Sequence, residues 1–95
     1  MEPISLIIWL LTAAAGAATA VAYLNWSTIQ DWITQNQVRG GYADVIAKRL
    51  GTGQYKVVAG VFGPTRLQIH STSWRAKQLD PSLAGRLNEV IRVQT

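Results

Sequence analysis

From Ile4 to Leu24 the chain reads ISLIIWLLTAAAGAATAVAYL, apolar everywhere except at Ser5, Thr12 and Thr19. Wound as a helix rising about 1.5 Å per residue, this stretch matches the roughly 30 Å of a bilayer's hydrocarbon core. The pattern predicts a transmembrane helix, because the short remainder of the chain could not cover a helix that is apolar on every side. Its first third is bulky, whereas Thr12 to Ala20 contains nothing larger than threonine. Thr12, Gly16 and Ala20 recur every four residues, and so do Ala14, Ala18 and Ala22. Such small-residue strips predict close packing on another transmembrane helix, from a second copy (a homo-oligomer) or from a larger membrane complex.

After Leu24, in NWSTIQDWITQNQ, Trp26, Ile29 and Ile33 keep helical spacing, so the helix is expected to continue. Tyr23, Trp26 and Trp32 are amphipathic aromatics suited to headgroup depth, which places this segment at the membrane interface, in contact with lipid. Polar residues up to Gln37, followed by Arg39-Gly40-Gly41, mark a boundary. The expected organisation is residues 1–37 as anchor and interfacial segment and residues 38–95 as a small basic α+β domain.

Within that domain Tyr42, Val45, Ile46 and Leu50 follow helical spacing, with Lys48 and Arg49 in the last turn and Gly51 as a cap. Tyr55–Phe62 (YKVVAGVF) is β-rich and apolar on both faces, which reads as a central strand. Gly63-Pro64-Thr65 is a turn signal. Leu67 and Ile69 then alternate against Gln68 and His70, so a hairpin is expected. Asp80-Pro81 offers an N-cap and a favoured first helical residue, Leu83, Leu87 and Val90 share a face, and Val90–Val93 ends the chain as a strand. The fold class that results is a single-pass α-helical membrane anchor plus a small α+β domain, α-β-β-α-β. Its three-stranded sheet would be ordered 2-1-3 and carry two short helices, with the last strand beside Tyr55–Phe62.

Charge adds an orientation. All nine Lys and Arg lie between Arg39 and Arg92, none flanks the apolar span on its N-terminal side, and the net charge is +4. Basic residues tend to stay on the cytoplasmic side, so the expected topology is N-terminus out and C-terminal domain in. The absence of cysteine excludes a disulfide framework, a thiolate zinc site and a cysteine nucleophile. A composition 48% hydrophobic and 15% charged is not that of a disordered tail. A cleavable signal peptide is the competing reading of the N-terminus, since Ala18-Thr19-Ala20 has the A-x-A form, although no Lys or Arg precedes the apolar run.

The chemistry-bearing residues are sparse. His70 lies near Ser71 and Ser73, with Asp80 further along. On a strand His70 and Ser71 point to opposite faces, and no nucleophile elbow surrounds either serine. Gly51-Thr52-Gly53 follows an expected helix and lacks the Gly-Lys-Ser/Thr ending of a phosphate loop. There is no second histidine and no pair of carboxylates at ligand spacing. The expectation is therefore no enzyme, no metal, no cofactor and no small-molecule substrate. Trp74, Arg75 and Lys77 form the densest basic group, suited to anionic lipid headgroups ahead of nucleic acid. Trp74 either anchors that surface or covers the sheet. The expected function is association, as an accessory subunit held by its transmembrane helix. The alternatives are a self-assembling membrane-perturbing effector or toxin, and a secreted or periplasmic binding domain released by cleavage.

Overall fold

The computed structural model describes residues 18–65 and 68–94. Its elements are β1 (Ala18–Leu24), α1 (Trp26–Asn36), β2 (Tyr42–Arg49), β3 (Tyr55–Phe62), β4 (Gln68–Leu79), α2 (Pro81–Ala84) and β5 (Ile91–Gln94). The strands form one sheet in the order β1-β4-β3-β2-β5. β2, β3 and β4 are an antiparallel meander, β5 runs antiparallel to β2, and β1 runs parallel to β4. β1 and β2 thus point the same way with β4 and β3 between them, and the connection carrying α1 must cross back over the sheet.

Ile29 and Ile33, four residues apart and both buried, seat α1 on that face. Beneath them lie Ala43, Val45 and Ala47 of β2, Val57, Ala59 and Val61 of β3, and Trp74 and Ala76 of β4. The alanines leave room for the helix backbone, and Trp32 meets Trp74 edge-on at 6.3 Å between ring centroids. Burying each isoleucine contributes about 1.5–3 kcal/mol. Leu24, Leu79 and Leu83 belong to the same core. Ile46 and Val58 are also buried but lie outside that cluster, on the opposite face, so β3 is buried on both sides as its two-sided pattern predicts.

The transmembrane helix is overturned. No helix among the described residues is long and apolar enough to cross a membrane. The last part of the expected span, Ala18–Leu24, is β1, in register with Ser73 to Leu79. Thr19, Val21 and Tyr23 are β-branched or aromatic at alternate positions, and β4 supplies the backbone partners that a helix would have found within itself. Ala18, Ala20 and Ala22 therefore alternate along a strand instead of forming a helical strip, while Thr12, Ala14 and Gly16 lie outside the described residues. The N-out, C-in single-pass topology loses its basis with the helix. So do the accessory subunit held by that helix and the membrane-perturbing oligomer. Ala18-Thr19-Ala20 pairs with Ser73, Trp74 and Arg75, so cleavage there would remove part of the sheet; the secreted form is withdrawn too.

Three further expectations change. α1 begins after Asn25 as a helix separate from the residues before it. Tyr42–Arg49 is strand β2, because Ala43, Val45 and Ala47 face one layer and Ile46 the other, a two-sided pattern that helical spacing happened to mimic. The sheet has five strands and not three. β3 already has β2 and β4 as neighbours, so β5 takes the free edge of β2. The Tyr55–Phe62 strand, its hairpin into β4 and the Asp80-Pro81 helix start are present. A register shift at Val61/Phe62 turns Ile69 outward, contrary to its alternation.

Candidate anion-binding face

The strand register sets three cations side by side. Lys48 on β2 pairs with Lys56 on β3, and Lys56 pairs with Arg75 on β4. Directly paired residues share a face, so this row crosses three strands set about 4.8 Å apart. Lys77, two residues along β4, points the same way. Lys48, Arg75 and Lys77 are exposed and Lys56 is half-buried. The row ends at Ala20 of β1, which pairs with Arg75 and has no side chain long enough to shield it. This is the face away from α1, since Val57 and Trp74, the chain neighbours of Lys56 and Arg75, form their own pair inside the core.

Among the described residues no carboxylate answers the row. The ion pairs among the described residues are Arg86–Glu89 at 3.4 Å and Arg92–Asp44 at 2.8 Å. Asp44 shares the face but is fully buried and already held at both of its oxygens by one guanidinium. Arg92 donates from Nε to Oδ1 at 2.8 Å and from Nη2 to Oδ2 at 3.0 Å. That hydrogen-bonded pairing raises the Arg92 pKa, keeping the guanidinium charged. The guanidinium also lies 4.2 Å over the Tyr42 ring, which stacks on Phe62 at 5.2 Å. Arg92 and Asp44 thus fasten β5 to β2, and no described carboxylate is left to neutralise Lys48, Lys56 or Arg75. Like charges directly opposite each other destabilise a sheet by a few tenths of a kcal/mol up to about 1 kcal/mol per pair. By itself the row works against the fold.

Of the residues singled out by sequence, Arg75 and Lys77 lie on this face, but Trp74 is buried in the core on the other side. Trp26 and Trp32 are half-buried against that core, and Tyr23 is exposed on β1. Lys48 and Lys56 are not legible as part of a site from the sequence pattern. They stand well apart from Arg75 in sequence, and only the register unites them; reading Tyr42–Arg49 as a strand would have been the one available signal. His70 and Ser71 are exposed on β4. Asp80 follows the far end of that strand, roughly 30 Å from His70 along an extended chain, so the three do not meet. Among the described residues no three His, Asp or Glu side chains are grouped so as to hold a metal.

No protein-family model matches this chain, and no curated protein or solved structure does either.

Proposed function

We propose that the protein is a non-enzymatic binding module that docks an extended, phosphate-bearing partner on Lys48, Lys56 and Arg75, with Lys77 beside them. The observation that carries this reading is the in-register cationic row, which has no carboxylate partner among the described residues. An arrangement that costs the sheet stability is offset when a polyanion neutralises it. Among the described residues no aromatic side chain stands at the centre of the row, Trp74 being turned into the core, which favours recognition of phosphate charge over base stacking. The partner is accordingly engaged through phosphate charge and not through base sequence.

The test measures binding of the full chain to a single-stranded oligonucleotide of mixed sequence and to vesicles of anionic or zwitterionic phospholipid, each over a salt series. The expected result is retention on phosphate polyanions that falls steeply with salt. For the oligonucleotide, three or four released counterions give a log–log slope of about −2 to −3. Lys56→Glu with Arg75→Glu abolishes it. Wild-type protein that binds neither probe at low salt would overturn the reading; preference for one probe identifies the source of the phosphate.

A further inference from the structure

We infer that β1 is a self-pairing edge, through which two copies join their sheets into one. β1 stands at the end of the strand order and its outer side pairs with no described strand. Apart from being covered by a helix or loop, an edge strand is ordinarily protected within itself by charge, proline, a bulge or shortness. β1 has none of these: Ala18–Leu24 carries no charge and no proline, spans seven residues, and keeps an unshifted register with β4. Thr19, Ala20 and Ala22 are exposed yet small, so a second strand can approach without steric obstruction. The other edge is protected. β5 is only four residues long and presents Arg92.

That contrast selects the occupant. A head-to-tail contact of β1 with β5 would leave free edges and propagate without end, and the short β5 is poorly suited to it. Pairing β1 with β1 of a second copy, antiparallel about a two-fold axis perpendicular to the sheet, closes on itself and brings uncharged residues together. The same axis keeps both basic rows on one side of the joined sheet. The two Arg75 side chains would be about three strand spacings apart, roughly 14–16 Å. This exceeds the screening length of about 8 Å at physiological ionic strength, so their repulsion does not prevent association. The pairing stands independently of what the basic row binds.

Sedimentation or light scattering of the full chain reads the outcome over a concentration series, with Ala22→Lys on β1 and Gln94→Lys on β5 as variants. The expected result is a species of twice the chain mass, reduced to the monomer by Ala22→Lys and unaffected by Gln94→Lys. Circular dichroism shows that both variants are folded; should Ala22→Lys unfold, Thr19→Lys replaces it. A chain that remains monomeric at every concentration overturns the inference. So does a dimer that survives the β1 lysine, a dimer lost equally with the β5 lysine, or open-ended assembly.

Discussion

The Asp80 carboxylate accepts a hydrogen bond from the backbone N–H of Trp26 at 3.1 Å, across a sequence separation of 54. Its other oxygen accepts from the Ser82 backbone N–H at 3.0 Å and from the Ser82 hydroxyl at 2.9 Å. One side chain therefore caps two helices. It is needed at α1 because Asn25, which occupies the N-cap there, makes no side-chain cap bond. The Asp80 backbone N–H also donates to the Leu24 carbonyl at 2.9 Å, so the end of β1 and the end of β4 are tied at the same point.

The first prediction concerns acid. The Trp26 N–H, then the Ser82 N–H and hydroxyl, favour the ionised form and hold the Asp80 pKa below the ordinary 3.8. A carboxyl whose folded pKa is depressed stabilises the protein above its unfolded pKa and loses that contribution as pH falls through the folded value. Asp80→Asn keeps an acceptor for α2 but turns an amide towards Trp26. It should be less stable than wild type at about pH 7, and the gap should shrink below about pH 4. Denaturant melts at the two pH values check this; an equal gap at both would sink the capping account.

A second prediction follows from the fastening of β5. Arg92→Ala leaves Asp44 buried without its ion partner and should destabilise the protein by about 3 kcal/mol. Arg92→Lys should recover only part, because an ammonium cannot reproduce the two-pronged contact. Urea unfolding within about 0.5 kcal/mol of wild type for Arg92→Ala would show that the pair is not structural.

The basic row predicts opposite changes in stability and binding. Lys56→Glu sets a carboxylate between Lys48 and Arg75, exchanging two like-charge neighbours for two attractive ones. Stability should rise by about 0.5–1 kcal/mol while polyanion affinity falls. Thermal melts beside binding isotherms decide it. A variant that is destabilised and binds as before would mean the row has another purpose.

Close backbone approach predicts a contrast between two glycines. A Cβ on Gly41 would overlap the Phe62 carbonyl oxygen, whereas one on Gly51 meets nothing within 4 Å. Gly41→Ala should cost about 1–3 kcal/mol, since backbone must move. Gly51→Ala, in the β2–β3 turn, should be near neutral or slightly stabilising. Equal effects in thermal melts would contradict the chain path at Gly41.

Periodicity made part of this fold legible. YKVVAGVF announces a strand buried on both faces, and Asp80-Pro81 announces a helix start. Tyr42–Arg49 misleads because a strand apolar on both faces also contains apolar residues at helical intervals. Ala18–Leu24 misleads for a related reason: a continuous apolar run does not show whether its backbone partners lie within the segment or on a strand far along the chain. The binding face was only half visible, through Arg75 and Lys77. Lys48 and Lys56 join it through β-pairing, a long-range relationship that local pattern does not carry.

The parallel pairing of β1 with β4 also bears on how the protein is made. Ala18 waits for Ser73, about 55 positions later, before its strand can close. At a synthesis rate of about 5–20 residues per second, that interval lasts roughly 3–11 s. β2 and β3 can meet across their short turn long before then. For those seconds an uncharged segment emerges from the ribosome with its backbone unpaired, a ready target for a chaperone or for a neighbouring nascent chain on the same polysome.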